Sequence, residues 1–130
     1  MKYSILVQGS PFSTKACHSA YTFSQTLLKS ATHQLEGVFF YGDSVMIANK
    51  LMQPPRDEYN IASAWQQLAD QHHIPLYICI AAAVRRGIIN ETEMQRYELS
   101  DHTLAAPFQL EGLGSLVQLV TTTDRLITFR

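Results

Sequence analysis

Runs of consecutive apolar residues alternate along this chain with stretches in which apolar residues return every three or four positions. "KYSILVQG" is a short apolar run closed by Gly9 and predicts a first strand. After the turn-rich "SPFSTKA" the period changes: Ala16, Ala20, Phe23, Leu27 and Ala31 fall on one face of a helix, with Cys17 near its edge. "QLEGVFFYGDS" predicts a second strand. Its successive apolar residues Val38, Phe39, Phe40 and Tyr41 are the mark of a strand covered on both faces. "SVMIANKLM" predicts a short helix stopped by Pro54 and Pro55.

Asn60 stands where it would cap the next helix, whose apolar face is Ile61, Ala64, Trp65 and Leu68. His72 and His73 close that helix, and Pro75 blocks its continuation. "LYICI" predicts a third strand, and "AAAVRRG" a helical turn or short helix ending at Gly87. Asn90 caps a further helix, with Glu91 and Glu93 in its first turn, where carboxylates suit the helix dipole. "FQLEG" is the least marked strand of the set. Leu113, Leu116, Val117 and Val120 recur at helical spacing, and "DRLITFR" predicts a terminal strand.

The predicted order is β-α-β-α-α-β-α-α-β-α-β. Such alternation implies an α/β fold: one domain over residues 1–130, with a mostly parallel central sheet of about five strands and helices on both faces. Ligand sites in these folds lie beyond the carboxyl ends of the strands. Three loops therefore compete: "GSPFSTK", "YGDS" and "CIAAAVRRG".

Composition narrows the choice. The 130 residues are 46% apolar and 16% charged, enough to bury one core without metal or disulfide staples. The net charge is −1 with scattered cations, which argues against direct nucleic-acid binding. No apolar run approaches the ~20 residues that span a bilayer, and Met1-Lys2 leads straight into "YSILVQG" without the h-region of a signal peptide. A cytoplasmic location follows as an expectation, and in that reducing setting Cys17 and Cys79 are expected as thiols.

Cys79 closes the third strand, just before a predicted helix start. A thiolate there would gain from unpaired backbone N–H groups and the positive end of the helix, and Arg85 and Arg86 add two permanent charges nearby in sequence. The competing reading is a small apolar residue in a core, where free cysteine is most often found. Cys17 reads as a structural thiol, or else as a partner able to resolve a disulfide with Cys79. "GSPFSTK" offers Ser10, Ser13 and Thr14 to a phosphate but lacks the second glycine and the GK[ST] ending of a P-loop, so a turn with a helix cap fits better. Asp43 either orients a polar group in the site or makes an Asx-turn. The five histidines are dispersed, and no Cys/His spacing suits zinc.

Three segments together carry a resemblance: "VFFYGDSV", "AWQQLADQHHIPLYICIAAAVRRGI" and "EGLGSLVQLVTTTDRLITF". They resemble the DsrE-type sulfur-relay proteins, over Tyr3 to Phe129. The resemblance implies a DsrE-like fold with flavodoxin- or Rossmann-like layering and a sulfurtransferase activity. It implies that Cys79 is the catalytic residue, taking sulfur as a persulfide from an upstream carrier protein and passing it to the next relay protein. In the family the sulfur ends in 2-thiouridine at the tRNA wobble position, and relatives act in sulfur oxidation. The resemblance further implies a heterohexamer with two homologous kinds of subunit, and it supplies no metal, flavin or nucleotide cofactor. Cys17 is outside the family pattern. Docking of protein partners then leads us to expect an accessible Cys79 sulfur at the rim of the sheet end. Arg85 and Arg86 stand either as its electrostatic support or as part of a subunit surface. A non-catalytic subunit with an inert cysteine and a small-molecule binder using the first loop are the alternatives.

Overall fold

The computed structural model describes residues 1–130. The chain runs β1 (Lys2–Val7), α1 (Ala16–Leu28), β2 (Gln34–Phe40), a 3₁₀ helix (Gly42–Ala48), α2 (Ile61–His72), β3 (Leu76–Cys79), α3 (Ile80–Val84), α4 (Glu91–Arg96), β4 (Gln109–Glu111), α5 (Leu113–Thr122) and β5 (Arg125–Phe129). All five strands pair in parallel, in the order β4-β3-β2-β1-β5. The weakly marked fourth strand is thus a real edge strand, pairing Tyr77, Ile78 and Cys79 with Gln109, Leu110 and Glu111.

Helices cover both faces because strand side chains alternate. Phe40 of β2 meets Trp65 of α2 edge-on, and Trp65 in turn meets Tyr21 of α1. Gly37 of β2, of opposite parity, faces Leu119 of α5, which a Cβ there would crowd. Trp65 is wholly buried, and its indole N–H donates to the Cys17 carbonyl at 3.1 Å, so its one polar atom is satisfied inside the core.

Asn60 and Asn90 cap α2 and α4 as their positions predict, each accepting from the N–H three residues on. The segment after β2 is a 3₁₀ helix rather than an α-helix. It is entered through Gly42 at φ 62°, a left-handed conformation that a side chain resists. α1 ends at Leu28, so Ala31 lies beyond it. Cys17 is on the buried face of α1, not at its edge. The largest departure is in α5. Only Leu119 is fully buried; of the four residues at helical spacing Leu116 is half-buried against the core, while Leu113, Val117 and Val120 are exposed.

Candidate functional site

Strand order reverses between β1 and β5, where folds of this kind usually bind ligands. Here that crevice is filled by the chain itself. A Cβ on Gly9 would collide with Thr14 and with the backbone of Arg130. The polar groups of the first loop are also used internally. Ser10 Oγ accepts from the Phe12 N–H, and Thr14 Oγ1 donates to the Ser10 carbonyl while accepting from the Ala16 N–H. This is a hydrogen-bonded turn, without the expected side-chain cap on α1, and it leaves little for a phosphate.

The open feature lies two strands away. β3 passes into α3 with no intervening loop, and Cys79 occupies the capping position of α3 with its side chain capping nothing. A pocket of about 310 Å³ opens there. Tyr41 and Gly42 after β2 form one wall. Cys79 with Ile80, Ala81 and Ala82 forms a second, and Gly112 and Leu113 at the start of α5 a third. Arg85 and Arg86, just past α3, complete it. The ends of β2, β3 and β4 thus converge on one thiol.

The expected rim position of Cys79 needs correction: the residue is only 3% exposed, so its sulfur is reached through the pocket rather than across an open surface. The strand that delivers it is short and covered, and α3 folds directly over its end.

The structure brings Arg85 and Arg86 to the same pocket but gives them different surroundings. Arg86 is fixed at both ends of its guanidinium. Nε and Nη2 donate to Asp43 Oδ1 at 3.2 and 2.9 Å, and Nη1 donates to the Ala82 carbonyl at 2.9 Å. Asp43 therefore orients a polar group of the pocket, the Arg86 guanidinium, and ties the segment after β2 to the end of α3. Exposed pairs of this kind contribute roughly 0.2–1 kcal/mol, so the link matters more for geometry than for stability. Arg85 is exposed, and its guanidinium makes no hydrogen bond or ion pair.

Cys17 has the opposite character to a reactive thiol. It is fully buried, its Sγ donates weakly to the Gly9 carbonyl at 3.6 Å, and desolvation pushes its pKa up from 9.0 to about 12. Both cysteines are free. No three His, Cys, Asp or Glu side chains gather as a metal-holding group. Tyr41 and Gly42 belong to "YGDS", one of the three loops the sequence offers, and the pocket residues that sequence reasoning missed are Gly112 and Leu113. Their sole signal is position, each following a strand end, and only the strand order tells which ends are neighbours.

A parallel five-stranded sheet that presents a pocketed cysteine at one strand end defines the class of protein. The chain belongs to the DsrE/DsrF-like family, whose pattern matches residues 1–129. It is similar to proteins named sulfurtransferase TusD. The protein from Salmonella dublin is 46% identical over 129 residues, covering 99% of this chain and 100% of that protein. A TusD homolog from Vibrio vulnificus strain YJ016 is 40% identical over 129 residues, covering 99% of this chain and 98% of the relative. Among solved structures, the ychN protein from E. coli shares the fold with a TM-score of 0.72 at 18% identity, covering 99% of both chains.

Proposed function

We propose that this chain, a sulfurtransferase of the DsrE/DsrF-like family, accepts sulfur as a persulfide on Cys79 and passes it to another protein of a relay. The observation that carries the reading is the placement of a free thiol in a pocket framed by three adjacent strand ends and two arginines. The likeness to proteins named sulfurtransferase over the full chain supports it.

The step is thiol–persulfide exchange. The Cys79 thiolate attacks the terminal sulfur of the donor persulfide, and a new Sγ–S bond forms. The donor's S–S bond breaks, its electron pair leaving on the donor thiolate, which takes up a proton. One thiol is oxidised to a persulfide and one persulfide is reduced to a thiol, so no further oxidant is needed. The pocket is larger than one sulfur atom requires, and Cys79, almost wholly buried, forms part of its wall. Donor and acceptor must therefore present their sulfur on a segment narrow enough to enter.

The finer reading is that the sulfur serves 2-thiolation of the tRNA wobble uridine, in the cytoplasm, without direct nucleic-acid contact by this chain. It would work within a heterohexamer with two homologous subunits, TusB-like and TusC-like. The outward apolar stripe of α5 supports association with other chains. No helix is long and apolar enough to cross a membrane. Sulfur oxidation is the competing destination.

Incubation with a protein persulfide donor, followed by intact-mass and peptide mapping, tests the reading. The expected result is one added sulfur on Cys79, kept in Cys17→Ser and absent in Cys79→Ser. A wild-type chain that stays unloaded by a donor able to load another carrier would mean an inert cysteine.

A further inference from the structure

The Cys79 pocket is lined by two arginines and no carboxylate. The charge of Arg86 is met by Asp43 at 2.9 Å. No carboxylate lies within ion-pair distance of Arg85. Glu111, opposite Cys79 in the β3–β4 register, accepts from Ser115 Oγ at 3.0 Å. Glu93 pairs with Arg96, and Glu91 faces His102. Of the two pocket arginines, Arg85 alone has no hydrogen-bond or ion-pair partner, and it stands on the same short helix-and-turn as the thiol.

We infer that Arg85 is the anion-selecting residue of the pocket, recognising the anionic sulfur of the incoming persulfide, and that Arg86 is a positioning residue that holds the wall in place. The inference rests on the reading of Cys79 as the sulfur carrier. Its physical need is plain. Exchange first brings the Cys79 thiolate and the persulfide anion into one confined space, where like charges repel, and the terminal sulfur then takes up a proton before the thiolate attacks it. The same negative charge then moves to the departing thiolate without leaving the pocket. A single unpaired cation offsets the repulsion before, during and after transfer. Its effect is small in open solvent and grows when a docking partner excludes water. A guanidinium already tied to a carboxylate and a carbonyl, as in Arg86, has little left to offer.

Paired alkylation tests this without any sulfur transfer. Iodoacetate and iodoacetamide are nearly the same shape, and each reacts by attack of the Cys79 thiolate on its CH₂ carbon with loss of iodide. Only iodoacetate is an anion. The ratio of their rates at Cys79, mapped by peptide mass, cancels both thiolate fraction and general access. It is expected to fall about five-fold in Arg85→Gln, on the scale of a single partly screened charge, and to be largely restored in Arg85→Lys. Raising the salt should lower the wild-type ratio toward that of Arg85→Gln. The double variant Asp43→Asn with Arg86→Gln should change the absolute rates of both reagents at Cys79, because the wall loses its tie, while their ratio shifts by no more than about two-fold, since no net charge is lost. An unchanged ratio in Arg85→Gln, an equal fall in the double variant, or no labelling of Cys79 by either reagent would overturn the assignment. Failure of persulfide loading with the ratio behaving as expected would count against the sulfur reading and leave Arg85 as the anion selector.

Discussion

Cys17 and Cys79 show how far local surroundings separate two residues of one type. Cys17 is sealed in the core and ionises only near pH 12, whereas Cys79 borders a pocket. The consequence for Cys17 is a pH dependence with a definite sign. In the unfolded chain this thiol loses its proton near its ordinary value of 9.0, and in the folded chain near 12. Between those values the folded state holds more protons, so stability is full below about pH 9 and falls as pH rises through the window. The slope from this one group is at most roughly 1.4 kcal/mol per pH unit. Urea midpoints compared between wild type and Cys17→Ala at pH 8 and pH 10.5 should show a steeper loss in wild type; equal losses would mean that Cys17 is not sealed. Much of this scale was legible in the sequence. Cys79 could be placed at a strand end because "LYIC" is a compact apolar run before a helix start. Its burial was not legible, since that depends on α3 folding back over the strand and on walls from β2 and β4. Nor could the sequence separate Arg85 from Arg86, because the partner that does so, Asp43, is 43 residues from Arg86 along the chain.

At the scale of elements, caps and interior periods were readable where the signal is local. Asn60 and Asn90 do what their side chains favour at a helix start. Asn60→Ala should cost about 1 kcal/mol in denaturant unfolding. It should leave alkylation of Cys79 unaltered, because α2 does not border the pocket. A change in Cys79 reactivity would indicate coupling through the core that the packing does not suggest. α5 is a helix as its period predicts, but its buried face was not legible. A helix can carry two apolar faces, and periodicity does not say which one meets the sheet. Leu119 lies some way around the helix from Leu113, Val117 and Val120, and it is Leu119 that closes on Gly37. The 3₁₀ helix after β2 was likewise beyond a period argument, since a segment of seven residues supports several helical geometries.

For the molecule as a whole, the alternation of strand and helix announced a parallel sheet, but the order β4-β3-β2-β1-β5 was not announced. That order decides which loops are neighbours. It makes the ends of β2, β3 and β4 contiguous around Cys79, and it leaves the crevice beside β1 to be closed by Gly9 and the end of the chain. It also sets α5 on its own face of the sheet with an uncharged, exposed apolar stripe beginning at the pocket, where Leu113 forms part of the wall. If the proposed hetero-oligomer forms through this stripe, Val117→Asp is expected to weaken it at least ten-fold, the loss of roughly 1.4 kcal/mol or more, while leaving the thermal midpoint of the isolated chain nearly unchanged. Sedimentation of the mixed subunits checks it, and undiminished assembly would assign the stripe to something else.

The central claim is that sulfur enters and leaves through Cys79. The most direct measurement is a chase with radiolabelled sulfur. The chain is loaded from a labelled persulfide donor, freed of the donor, and mixed with a thiol-bearing acceptor protein, while label is followed on both proteins. The account predicts that wild type and Cys17→Ser bind close to one labelled sulfur per chain and surrender it to the acceptor, and that Cys79→Ser binds none. Label retained by Cys79→Ser, or label on wild type that no acceptor protein can remove, would contradict it.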